Sequence, residues 1–205
     1  EIWKGLVGSE MCIRDSKDLD QNIYTDFNEA ISEDGYKLFL KKLYDYGFTV
    51  IQNCKTEMSS VEKIAKKIGY VRESIFGGLW SFESNEDKAD SAYTQEELRP
   101  HTDSTYSNDA PGLQLLLCCH YKASGGDSIM VDGFKIAEKI KNEKKEIYDL
   151  LTQIEVTGQY IGDGVFLKAK RPIFRVNSDN ELIQVSFNNY DRAPFKLSED
   201  KTKKF

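Results

Sequence analysis

The stretch that decides the fold runs from Ile154 to Phe187. It opens with Ile154-Glu155-Val156-Thr157-Gly158-Gln159-Tyr160. It continues through Pro172-Ile173-Phe174-Arg175-Val176-Asn177 and Leu182-Ile183-Gln184-Val185-Ser186-Phe187. Each run is short and rich in β-branched and aromatic residues, which predicts strands over 154–160, 172–177 and 182–187. Ser178-Asp179-Asn180 lies between the last two as a hairpin turn. Short strands with tight turns and a few inserted helices predict a mainly β, α+β architecture of the jelly-roll kind.

Upstream, Gly133 to about Gln153 has a helical pattern, with Phe134, Ile136, Ala137 and Ile140 on one face and Ile147, Leu150 and Leu151 on another. Ser128–Asp132 reads as a strand, and Ser124-Gly125-Gly126-Asp127 as the hairpin turn before it. Leu113–Tyr121 is too apolar for a one-sided strand and is expected in the core. Nearer the start, Tyr36, Phe39, Leu40, Leu43 and Tyr44 have helical spacing over 33–46. Phe48–Ile51 then reads as a short buried strand. Ser59 and Glu62 have the spacing of a capping box for a helix whose inner face is Val61, Ile64, Ala65 and Ile68. Residues 70–100 give no clear pattern beyond the polar loop at 83–91.

At 205 residues the chain suits one domain with a real core. Its 40% hydrophobic and 30% charged residues are ordinary for a globular protein. A formal net charge of -6 argues against a nucleic-acid partner, which would need a basic stripe. No apolar run reaches about 18 residues, so no membrane span is expected. Cys12, Cys54, Cys118 and Cys119 lack CxxC spacing. They read as buried thiols of a reducing, intracellular protein, cytoplasmic or, in a eukaryotic parent, mitochondrial. Residues 1–16, from Glu1-Ile2-Trp3-Lys4 to Arg14-Asp15-Ser16, resemble translated sequencing-adapter read-through and are read as a non-native leader. The chain stops at Lys203-Lys204-Phe205, inside the start of a helix, and reads as a fragment.

The chemistry centres on His101-Thr102-Asp103. On an extended strand, residues i and i+2 share a face, so an imidazole nitrogen and a carboxylate oxygen converge. That supplies two thirds of a 2-His-1-carboxylate triad, the arrangement that holds ferrous iron with positions left open. The chain has only 2 histidines. The other, His120, lies in the apolar run with Cys118 and Cys119 and reads as a packed strand histidine.

Six ordered segments carry a resemblance. They are Phe76-Gly77 with Trp80; Ala92-Tyr93-Thr94; His101-Thr102-Asp103; Pro111-Gly112-Leu113-Gln114; Gly125-Gly126-Asp127-Ser128 with Val131-Asp132-Gly133-Phe134; and Phe187-Asn188-Asn189-Tyr190-Asp191-Arg192-Ala193. This set, over about two thirds of the chain, resembles the 2-oxoglutarate-dependent dioxygenases of carnitine biosynthesis, within the taurine-dioxygenase-like superfamily. The resemblance implies that residues 17–205 are part of a catalytic domain built as a double-stranded β-helix, here incomplete. It implies Fe(II), 2-oxoglutarate as co-substrate and ascorbate in support. It also implies hydroxylation of a small quaternary ammonium substrate, with 2-oxoglutarate converted to succinate and CO2. It allows a homodimer.

By the resemblance, His101 and Asp103 are iron ligands. Leu116, Ser128 and Asn188 serve the co-substrate, although Ser128 equally suits a hairpin-end hydroxyl bonding its own turn. Asn189 would contact substrate, with the roles of Asn188 and Asn189 exchangeable. Phe76, Trp80 and Tyr93 form an aromatic cage, because a quaternary ammonium has no N–H to donate and ring faces attract it. Asp90 would pair with the α-ammonium of trimethyllysine and repel the lone carboxylate of γ-butyrobetaine. The motifs therefore favour trimethyllysine. The alternatives are γ-butyrobetaine hydroxylation and a non-catalytic jelly-roll module that binds a betaine. The second iron-binding His and the Arg that grips 2-oxoglutarate are expected beyond Phe205, so the fragment itself is expected to be inactive.

Overall fold

The computed structural model describes residues 23–83, 93, 97–122, 124–125, 128–162, 164–194 and 196–204. Residues 1–16, Asp90 and the turn residues Gly126 and Asp127 lie outside these. The chain divides into two compact units: Glu1–Ser81 with Leu113–Gly126, and Phe82–Gly112 with Asp127–Phe205.

The first unit is a helical cluster on a small parallel ladder. Strand β1 (Tyr24–Asp26) pairs with β2 (Val50–Gln52) in parallel register, Thr25 opposite Ile51. Helix α1 (Phe27–Ile31) starts where the Asp26 carboxylate accepts the Asn28 amide. Helix α2 (Glu33–Tyr46) starts where the Ser32 hydroxyl accepts the Gly35 amide. Both are N-caps that satisfy otherwise orphaned donors. Helix α3 (Met58–Ile68) lies against them. Ala30, Phe39 and Ile64 make the buried centre, with Tyr36, Leu40, Ile51, Ile68 and Leu115 around it. The Tyr36 hydroxyl donates to the Lys67 carbonyl at 2.8 Å and ties α2 to α3.

The second unit carries most of the strand. Helices α4 (Gly133–Glu143) and α5 (Lys145–Gln153) precede a long hairpin of β3 (Glu155–Gly162) and β4 (Val165–Pro172). Its antiparallel register sets Val156 opposite Arg171, Gly158 opposite Ala169 and Tyr160 opposite Leu167. A second hairpin joins β5 (Phe174–Val176) to β6 (Leu182–Val185). Asn177 Oδ1 accepts the amides of Asp179 and Glu181 and closes that turn. Ala137, Tyr148 and Phe174 form the core here. Asp132 caps α4 by accepting from the amides of Phe134 and Lys135. The last helix is α6 (Glu199–Lys204).

Several expectations change. The architecture is mixed α and β, and among the described residues the three sheets are two-stranded ladders, so none closes into a barrel. Leu113–Tyr121 is not a core strand. It has no regular secondary structure, with Leu116 72% exposed and Tyr121 63% exposed. Cys118, Cys119 and His120 are exposed with it, so neither the thiols nor the histidine are packed. Ser128–Asp132 also lacks ladder pairing, and Ile129, Met130 and Val131 are exposed. An apolar run becomes a strand only when a neighbour accepts its backbone, and none among the described residues does so. The Phe48–Ile51 strand lies one or two residues later and is only partly buried, with Val50 exposed. The capping box fails because α3 starts at Met58. Glu57 then takes the cap position, and Ser59 donates to the Glu57 carboxylate instead. The single helix over 133–153 breaks at Lys144 into two. Strand β4 was not anticipated.

Candidate functional site

The His-Thr-Asp segment is held by its middle residue. Thr102 donates its amide to the Phe187 carbonyl at 2.8 Å, and its hydroxyl accepts the Phe187 amide at 2.9 Å. This two-way clamp fixes Thr102 from both sides and leaves residues 101 and 103 facing the same way. The segment is not part of a ladder strand, yet the convergence expected of one is present. His101 Nε2 and Asp103 Oδ1 stand 3.3 Å apart.

The other imidazole nitrogen decides what that distance means. His101 Nδ1 lies 2.7 Å from the Arg99 carbonyl oxygen. A carbonyl only accepts, so Nδ1 carries a proton. In the neutral ring Nε2 then presents a lone pair straight at a carboxylate oxygen. Two acceptors at that separation call for a cation between them, a proton or a metal ion. Donors about 2.1 Å from one metal and at right angles stand about 3 Å apart. The observed spacing fits, and the Nδ1–H bond to a backbone carbonyl is the usual way a ligating histidine is oriented. Tyr190 supports the arrangement. Its ring meets His101 edge-on at 5.8 Å, and its hydroxyl accepts the Arg99 amide at 2.9 Å. A third donor is not present: among the described residues no group of three His, Cys, Asp or Glu side chains could hold a metal.

The loop continues into buried Thr105 and Tyr106, which pack on the β3–β4 hairpin. Tyr106 meets Tyr160 at 5.2 Å between ring centroids. Thr105 lies flat on Gly158, where an added Cβ would sit 2.5 Å from the Thr105 carbonyl carbon and oxygen. Only glycine permits that approach. Asp191 completes the frame. Its Oδ2 accepts from Thr105 Oγ1 at 3.3 Å and from Asn188 Nδ2 at 2.9 Å. Its carbonyl accepts the Gln159 amide, and Ala193 donates to Thr157, so residues 191–193 run beside β3. The roles of Thr102, Gly158 and Asp191 were missed in the sequence, although Thr102 and Asp191 lie inside the His101–Asp103 and Phe187–Ala193 motifs.

The remaining expected site residues fare differently. Asn188 and Asn189 line a cleft with Thr105, Arg171, Ser186 and Arg192. Its free volume of about 20 Å³ suits one water-sized group. Asn188 is already engaged, since its Oδ1 accepts the Tyr190 amide while its Nδ2 holds Asp191. Phe76 and Trp80 are brought together, stacked at 5.0 Å and 24°. The tight turn Ser74–Gly77 presents Phe76, with Gly77 at φ +90. Tyr93 belongs to the second unit, edge-on to Phe82 at 6.1 Å. Leu116 and Ser128 are exposed, and Asp90 lies outside the described residues.

The model of the taurine catabolism dioxygenase TauD, TfdA family matches residues 15–203. The chain belongs to this family. Among its relatives, a trimethyllysine dioxygenase of Meyerozyma guilliermondii is 36% identical over 165 residues, which is 79% of this chain and 41% of the relative. The mitochondrial trimethyllysine dioxygenase of Homo sapiens is 33% identical over 79% of this chain and 40% of its own length. A γ-butyrobetaine dioxygenase of Pseudomonas sp. is 34% identical over 78% of this chain and 42% of its own length. This member of the family therefore spans about two fifths of the curated relatives it matches, on the side of the superfamily that holds those two dioxygenases.

Proposed function

We propose that this chain is part of an Fe(II)- and 2-oxoglutarate-dependent hydroxylase acting on a trimethylammonium amino acid, with trimethyllysine as the substrate. The reading rests on one observation: His101 Nε2 and Asp103 Oδ1 face each other at metal-ligand spacing, with Nδ1 engaged by a carbonyl. His101 and Asp103 would hold the iron, and a further histidine would complete the set. When bound, the metal supplies oxygen chemistry coupled to 2-oxoglutarate decarboxylation, with ascorbate in support.

The protein residues do the positioning. Thr102 keeps the two donors on one side. Tyr190 and the Arg99 carbonyl fix the imidazole plane. Phe76 and Trp80 offer stacked rings to a methylated cation, and Tyr93 would add a third. Asp90 would take the α-ammonium, Leu116, Ser128 and Asn188 the co-substrate, and Asn189 the substrate. γ-Butyrobetaine is the second reading, supported by the Pseudomonas relative. A betaine-binding module without chemistry is the third. An intracellular setting fits all three, and the mitochondrial relatives extend it to that compartment.

With His101 and Asp103 as the two facing donors among the described residues, this chain is expected to bind Fe(II) weakly and to turn over nothing by itself. The test is succinate formation by the longer parent polypeptide offered trimethyllysine and γ-butyrobetaine separately, as wild type and as His101→Ala. Succinate with trimethyllysine that disappears in the variant supports the reading. Succinate that persists in the variant refutes it.

A further inference from the structure

The face of the β3–β4 hairpin on which Thr105 and Tyr106 pack also carries a cation, Arg171, with no ion-pair partner among the described residues. Side chains alternate along a strand, so Tyr160, Gly158 and Val156 share one face of β3. Their register partners Leu167, Ala169 and Arg171 share the same face of β4. Tyr106 covers Tyr160 and Thr105 covers Gly158. One step further along, half-buried Arg171 lines a cleft with Ser186, Asn188, Asn189 and Arg192.

Among the described residues no carboxylate lies within ion-pair distance of Arg171. Asp109 acts on it only from longer range, and Arg175 opposes it. Burial, with Arg175 adding to it, holds the guanidinium below its ordinary pKa. A half-desolvated guanidinium beside two side-chain amides and a hydroxyl is complementary to a carboxylate, which it can grip through two parallel N–H donors. The water-sized free volume leaves room for one carboxylate oxygen against the guanidinium and excludes a whole substrate.

We propose that Arg171 is an anion subsite that takes a terminal carboxylate of a small organic acid, in the cleft lined by Thr105 and by Phe187, the residue that clamps Thr102. It rests on the functional reading above for the two sources of that carboxylate: the 2-oxo diacid and the trimethylammonium amino acid.

The test uses the full chain, isotope-labelled for NMR. One arm titrates 2-oxoglutarate, a second trimethyllysine, and a third tetramethylammonium as a cation without carboxylate. The expected result is movement of the Arg171 Nε–H and of the Asn188 and Asn189 side-chain amides with one or both acids, and none with tetramethylammonium. The arm with the lower dissociation constant identifies the source. Arg171→Gln should weaken binding at least about tenfold, whereas Arg171→Lys retains part of it. Unmoved Arg171 signals with both acids, or equal affinity in Arg171→Gln, would overturn the proposal. A separate Mn(II) titration reads line broadening at His101. Carboxylate binding without that broadening leaves the anion subsite standing and removes the metal reading. Broadening without carboxylate binding does the reverse.

Discussion

Substituting Gly158 by alanine tests the frame behind the donor pair. The new Cβ would sit 2.5 Å from the carbonyl carbon and oxygen of Thr105 and 2.8 Å from its Oγ1. Carbon atoms in good contact stand about 3.5–4.0 Å apart, so the loop or the strand must yield by about 1 Å. Overpacking of this size in a buried position costs about 1–3 kcal/mol. The blocking atoms belong to backbone, so no rotamer change relieves them. Truncating the side chain as well, in Gly158→Ala/Thr105→Ala, clears Oγ1 but leaves the carbonyl in place. Chemical denaturation should therefore show a lower midpoint for Gly158→Ala and no recovery in the double variant. The same displacement propagates two residues back to Asp103, so the His101 ring signals should shift in an NMR spectrum of the native state. Gly69→Ala is the control, because nothing lies within 4 Å of the added Cβ there, and a change within about 0.5 kcal/mol is expected. A wild-type midpoint and unmoved His101 signals in Gly158→Ala would refute the packing of the loop on β3.

Further expectations follow from the same contacts. Thr102→Val keeps the shape but loses the hydroxyl that accepts the Phe187 amide. A loss of about 1 kcal/mol in denaturant, with faster hydrogen exchange at Phe187, is expected. Asp26 is held below its usual pKa of 3.8, first by the Asn53 side chain and then by the Asn28 amide. Its folded pKa is depressed, so its contribution is present above the unfolded value and is lost as pH falls through the folded one. The first unit of wild type should loosen below about pH 4 more than Asp26→Asn does, read by circular dichroism across an acid titration. Cys54 is raised by burial and then by Asp26, and is partly covered, whereas Cys118 and Cys119 are exposed. A maleimide pulse followed by peptide mass spectrometry should label the adjacent pair before Cys54.

The parts legible in the sequence are those where one segment decides its own structure. Helix α2 carries its apolar stripe and a capping serine. The β5–β6 turn carries the asparagine that closes it. The shared side of His101 and Asp103 follows from their i, i+2 spacing once the Thr102–Phe187 clamp holds the segment extended. The failures arise where a partner decides. Strand β4 alternates cleanly, with Leu167, Ala169 and Arg171 turned in while Phe166, Lys168 and Lys170 are exposed. Its lysines disguised a pattern that pairing with β3 makes plain. Leu113–Tyr121 has the composition of a buried strand but no neighbour among the described residues to pair with. The Ser59–Glu62 spacing was correct for a cap, yet the helix begins earlier and the motif falls inside it. Gly158 and Asp191 gave no local sign of their work, because each acts on a loop some fifty or more residues away in the chain.

The Thr102–Phe187 clamp joins residues 85 positions apart. Closing so long a loop carries an entropic cost that later contacts must offset. During synthesis, a nascent polypeptide that has emerged only as far as Asp103 displays both donors on slack backbone. Their alignment waits until Phe187 has left the ribosome and the second hairpin has formed. Before then the two side chains stand on slack backbone, so any cation held between them would be held only after the second hairpin is in place.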